Sequence, residues 1–292
     1  MPTAVERLFD SFLKLAGFDN NRHQQAELNE GFLKIDGDLL KLSSASPDTF
    51  LKVEHDRSLK LDFDVIGDAF IKLGRSFGQI ASAGAVIDEF VLKLTGMTNA
   101  FPGVATTAAV VGGPPNPQAD FLKLDGALKI SAADLKTLGA DFLKLDTSPN
   151  LAAFQHKLMG VSGDFHKLGG DMADNSAAFL KLGSDFLKLG DVANPSPLDL
   201  AYKELGGELQ TVGSRFDALA SDFHKLGQDL QGNGGTGGVG AAAAVSGPGM
   251  IGADFMTLSQ DFHKLDTALD RLGDGAAAVV NDLFRQGGGG LA

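Results

Sequence analysis

The chain has 292 residues, 43% apolar and 21% charged, enough for one large or two ordinary domains and too apolar for bulk disorder. A net charge of −12 with no basic stripe argues against nucleic-acid binding. The lack of any cysteine excludes disulfides, thiolate catalysis and cysteine-based zinc sites.

Aromatic use is lopsided, with 21 Phe, one Tyr (Tyr202) and no Trp. Phe brings apolar area without a polar handle, so it serves packing better than recognition. The first residues, Met1 to Asp10, lack the basic n-region and unbroken apolar core of a cleaved secretory signal. No stretch approaches the ~18 bulky uncharged residues of a membrane helix. The absence of cysteine leans toward an extracellular or cell-surface location reached without a cleaved signal, with the cytoplasm as the alternative.

Taken in chain order, hydrophobic spacing predicts helices near 3–16, 21–44, 59–95, 119–146, 150–190, 198–231 and 251–285. Pro47 lies in a connection over 45–58, and Pro149, Pro195 and Pro197 punctuate later turns. The expected organisation is an N-terminal helical region (1–96), an uncharged Gly/Pro/Ala loop (97–118) and central heptad-repeat helices (119–231). A Gly/Ala-rich loop (232–250) and a C-terminal helix with a Gly-rich tail (251–292) complete it. The two loops belong to wider uncharged segments, 95–119 and 230–253, which read either as surface loops or as segments ordered against another subunit.

These helices share an internal repeat. The tetrad F-x-K-[LIV] begins at Phe12, Phe32, Phe50, Phe70, Phe121, Phe142, Phe165, Phe179, Phe186, Phe223 and Phe262. In the second half it sharpens to D-F-[LH]-K-L-[GD]. With Phe at heptad position a and Leu at d, the third predicted helix reads Phe63, Phe70 and Phe77 at a, with Ile66, Leu73 and Ile80 at d. The fifth reads Leu158, Phe165, Met172, Phe179 and Phe186 at a, with Val161, Leu168, Asn175, Leu182 and Leu189 at d. A period of 3.5 residues over several heptads means long helices packed side by side. The expected fold is therefore all-α, an elongated bundle of long antiparallel helices with F-x-K-L heptad repeats.

Four further positions carry meaning. Position b is often apolar (Ile71, Leu122, Leu143, Leu180, Leu187), which suggests a wide stripe touching more than one neighbour. Gly recurs after the d Leu at 74, 169, 183, 190 and 227, which suggests close backbone approach, or in some copies a helix end. Asp at g and Lys at c are expected to form weak pairs that keep the outer face wet. The candidate packing and assembly residues are Phe63, Phe70, Phe121, Phe142, Phe165, Phe179, Phe186, Phe223 and Phe262. With them go Leu168, Leu182, Leu189 and Leu226, and Gly169, Gly183, Gly190 and Gly227.

Candidate chemistry is sparse. Gly232–Gly237 spells G-x-G-x-x-G, but no strand precedes it. His166, His224 and His263 share position b, where they could converge on a metal or form a pH-sensitive seam, or simply stand where the stripe meets water. Carboxylates at g read as solvated rather than as a catalytic pair. Asn175 is a polar intruder at d that can set register. The expectation is no catalytic, metal or cofactor site.

Three functions remain open. The first is a structural, self-assembling protein in an extracellular filament or surface assembly, with copies of itself as partner. The second is an amphipathic coat on a lipid or storage-granule surface. The third is a secreted helical-bundle ligand carrier or effector. Neither nucleic acid nor a transmembrane segment is expected. Phe179→Asp puts a carboxylate at position a and should unfold the helix pairing over 150–190 or dissolve the assembly. Unchanged melting and unchanged size would place the heptad register elsewhere.

Overall fold

The structure, a computed structural model, describes residues 64, 66–75, 77–78, 117–146, 151–234 and 248–288. The expected helices at 3–16 and 21–44, the connection over 45–58 and Phe63 lie outside these residues, as does most of the two uncharged segments. Among the described residues the chain is all-helical with no strand, and 191–196 is the stretch outside helix.

A helical stretch over 66–75, with 64, 77 and 78 also helical, is α1. Then come α2 (Pro117–Asp146), α3 (Leu151–Gly190), α4 (Pro197–Gly234) and α5 (Pro248–Gly288). Proline opens α2, α4 and α5, because the first turn needs no N–H donor there and the ring presets φ. That explains why α2 and α5 start inside segments expected to be loop. At the start of α4, Ser196 caps the helix reciprocally. Asp199 N–H donates to Ser196 Oγ at 3.3 Å, and Ser196 N–H donates to Asp199 Oδ2 at 2.8 Å.

The helices form a bundle around one phenylalanine core. Phe165 on α3 lies at its centre, with ring centroids 6.1 Å from Phe70 of α1, 6.0 Å from Phe142 of α2, 5.8 Å from Phe223 of α4 and 6.0 Å from Phe255 of α5. A second layer stacks Phe179 on Phe216 at 5.3 Å, with Phe77 edge-on to Phe216. A third joins Phe121, Phe186 and Tyr202. Burying each ring contributes roughly 1.5–3 kcal/mol, and each pair about 0.5–1.5 kcal/mol more.

The α3–α4 pair is closer than side-chain packing alone allows. Along it, partner residues climb on one helix as they descend on the other: Gly169 meets His224, Leu180 meets Gly213, Gly183 meets Gly206 and Gln210, Gly190 meets Lys203, and His166 meets Gly227. The rule is constant. A small residue at e on one helix receives the b side chain of the other. A Cβ on Gly183 would lie 2.7 Å from the Gly206 carbonyl oxygen, and one on Gly206 would lie 2.8 Å from that of Gly183. The α1–α2 pair repeats it, with Leu143 over Gly67 and Ile71 over Gly139. Of the apolar b positions, Ile71, Leu143, Leu180 and Leu187 lie over a neighbour's glycine, whereas Leu122 is exposed.

Adjacent glycines on α4 give opposite expectations. A Cβ on Gly206 meets two backbone atoms of α3, whereas one on Gly207 meets nothing within 4 Å. Gly206→Ala should destabilise by about 1–3 kcal/mol through forced separation of the helices. Gly207→Ala should stabilise by about 0.4–1 kcal/mol through the lower entropy of the unfolded chain. Denaturant titration of the two variants distinguishes them by sign.

Candidate functional site

The e positions of α3 and α4 face each other, so their g positions point outward to the next helices. There the repeat places aspartates, and the structure brings them together in pairs. Asp164 of α3 faces the carboxyl of Asp141 on α2, and Asp171 faces that of Asp134. Asp222 of α4 does the same with Asp261 on α5, and Asp254 of α5 with Asp229 of α4. Nearer the other end of α2, Lys181 bridges Asp120 at 2.9 Å and Asp185 at 2.7 Å.

These carboxyls are not the solvated lattice expected from the sequence. Asp120, Asp134, Asp185, Asp254 and Asp261 are all buried, Asp185 to 1% exposure. The reason is positional: g flanks a, and a is the core layer, so a helix laid against that flank covers both. Burial, together with the facing Asp141 and Asp134 carboxyls, pushes Asp164 up to about 7. Burial and Asp134 push Asp171 up to about 7, and burial and Asp261 do the same for Asp222. Asp254 is also raised, by burial first.

The lysines at c answer this charge. Lys167 reaches across to Asp134 at 2.6 Å, and Lys225 reaches across to Asp254. Lys144 and Lys264 pair with Asp141 and Asp261 three residues before them. The expectation that Asp–Lys pairs merely wet the outer face is corrected: several of them cross between helices and neutralise a seam. The hydrogen bonds to Asp134, Asp141 and Asp185 each push the lysine concerned above its ordinary value.

Of the residues singled out in the sequence, Phe70, Phe121, Phe142, Phe165, Phe179, Phe186, Phe223 and Phe262 lie in the core, as do Leu168, Leu182 and Leu226. Gly169, Gly183, Gly190 and Gly227 are buried between α3 and α4. Leu189 departs from them, at 37% exposure. It lies one turn past Phe186, whose partner Phe121 is in the first turn of α2, so α2 has little left to cover it. Asn175, buried at d, donates from Nδ2 to Oγ of Ser131, the polar d residue of α2, at 2.6 Å.

Two of the three repeat histidines meet. The rings of His166 and His224 are 5.9 Å apart, and each takes its own helix's i−4 carbonyl through Nδ1. His263 is exposed on α5. Among the described residues no group of three or more His, Asp or Glu is arranged to hold a metal ion. Between α2 and α3 a shallow groove of about 540 Å³ opens beside Ala127 and Ala178, rimmed by Leu122, Ile130, Lys123 and Lys181. No helix among the described residues is long and apolar enough to cross a membrane. Set against protein-family models, curated proteins and solved structures, the chain finds no match.

The aspartate seams are what sequence reading missed. Their signal was present: Asp precedes Phe in six of the eleven tetrads and again at Phe255, at a position next to the core rather than opposite it. Lys181→Met leaves Asp120 and Asp185 facing each other without their bridge. It should cost about 1–3 kcal/mol, below the ~3–5 kcal/mol of a fully buried pair because Lys181 is 55% exposed. Lys129→Met removes an exposed i,i+4 pair with Asp125 and should cost under about 0.5 kcal/mol. Chemical denaturation at pH 8 compares the two.

Proposed function

We propose that the chain is a structural, self-assembling helical repeat protein, an elongated bundle of long antiparallel F-x-K-L heptad helices. It serves as a subunit of an extracellular filament or surface assembly and is not an enzyme. One observation supports this most. Each position of the repeat has a use in helix–helix contact: Asp in a seam, Phe and Leu in the core, b over a glycine, Lys against a seam carboxylate. A repeat whose chemistry is spent on joining helices suits a protein whose work is to join. The motif itself recurs at Phe12, Phe32 and Phe50. Exposed Leu122, Ile130, Met159 and Leu200 provide apolar area for a second chain.

Absolute mass by light scattering after size exclusion, at two concentrations, tests the reading, with a negative-stain grid of the same fractions. The expected result is mass above the 30.4 kDa of one chain, growing with concentration, with ordered particles on the grid. A 30.4 kDa species at both concentrations would overturn it. Helicity gained on lipid vesicles or polymer granules would then favour a surface coat.

A further inference from the structure

The two kinds of helix interface differ in what holds them. The α3–α4 hairpin is joined by backbone approach, with glycines under b side chains, and its tight contacts involve no facing carboxyl pair. On either side of it, α2 and α5 are joined through the g positions, where like charges face each other. We propose that the four aspartate pairs 134·171, 141·164, 222·261 and 229·254 form a proton-dependent clasp. It holds α2 and α5 against the α3–α4 hairpin while each pair shares one proton, and loosens when that proton is lost.

A shared proton accounts for the buried oxygens of these pairs. Asp134, Asp164, Asp171, Asp222 and Asp254 each bury an Oδ2 atom that meets no nitrogen donor, so every one of the four pairs contains at least one such oxygen. The group facing it is another carboxyl. Two carboxylates in contact repel, whereas a carboxyl and a carboxylate share a short hydrogen bond. Lysine ion pairs fall on Asp134 (Lys167), Asp141 (Lys144), Asp261 (Lys264) and Asp254 (Lys225), and Lys167 and Lys225 also lie near Asp171 and Asp229 on their own helices. The contrast with the fifth pair is informative. There Lys181 bonds both Asp120 and Asp185, and neither is among the carboxyls with a buried oxygen lacking a partner.

All the charges facing these groups belong to the same seams. Asp164 faces Asp141 and Asp134 of α2, beside its own Lys167. Asp171 faces Asp134, beside Lys167 and Asp174. Asp222 faces Asp261 and Asp254 of α5, beside Lys225. A folded-state value near 7 against an ordinary 3.8 means the folded state binds the extra protons. Their stabilisation is complete below about pH 4 and is lost as pH rises through 7. The raised lysines act above pH 10.5 and leave this window alone. The clasp lies within one chain and stands whether or not copies assemble.

The chain's lack of cysteine makes a direct test simple. Spin labels on Gly126→Cys and Gly170→Cys report the α2–α3 distance, and labels on Gly170→Cys and Gly207→Cys report α3–α4. All three glycines have open space where a side chain would go. Between pH 5 and pH 8 the α2–α3 distance distribution should broaden while the α3–α4 one stays fixed. The melting temperature should fall by about 5 °C or more over the same range. Asp164→Asn, Asp171→Asn and Asp222→Asn together replace the shared protons with amide donors and should remove most of that fall. Carboxyl carbon NMR of the unlabelled wild type, which needs no variant to fold, should show Asp164, Asp171 and Asp222 titrating near pH 7. Titration of all three below pH 5, or identical broadening of both label pairs, would overturn the proposal.

Discussion

The close approach of α3 and α4 governs the rest of the structure. Small residues at e let two backbones come within reach of each other's carbonyls, and a b side chain from the opposite helix then roofs each gap. Once e and b are committed to one neighbour, a and d are left for the core and g for the next helix round. The position of each aspartate follows from that of each glycine. Ser162, also at e, extends the rule by donating from Oγ to the Gly227 carbonyl at 2.7 Å.

This gives the sharpened repeat D-F-x-K-L-G a complete physical reading. Phe and Leu supply the burial, and Gly the distance. Between α3 and α4 the variable x lies over the neighbour's glycine: Leu180 over Gly213, His166 over Gly227, His224 over Gly169. Histidine there needs no ligand to explain it, because its Nδ1 is satisfied by its own helix and its ring lies on glycine. Asp is the unfavourable member. Placing it next to a Phe core means desolvation and like-charge contact, and Lys three residues on offsets only part of that, since surface lysines remain largely hydrated.

How much of this was legible in the sequence depends on which neighbour a residue answers to. The 3.5-residue spacing and the absence of alternation require helices, and repeated glycine at one heptad position signals close approach; both depend on one helix at a time. The aspartate pairs depend on two. Asp164 reads as an exposed residue until α2 is laid beside α3 with Asp141 opposite it. Leu189 reads as core until α2 is seen to begin at Pro117. His263 reads like His166 until only the latter finds a glycine on a facing helix.

Near-identical repeats raise a problem of register, since a slip of one heptad would keep apolar a residues against apolar a residues. The polar residues resolve it. Between α2 and α3 the two polar d residues, Asn175 and Ser131, meet each other. A slip of seven would set Asn175 against Leu124 or Leu138, leaving a buried amide without a partner at a cost of about 1–3 kcal/mol. The same slip would move Ala178 from beside Ala127, with which it lines one groove, toward an aspartate of the α2 seam. It would also take Lys181 away from the Asp120–Asp185 pair that it bridges. Each departure from the repeat is therefore matched by a departure on the facing helix. A sequence that looks redundant when read along one helix is specific when read across two.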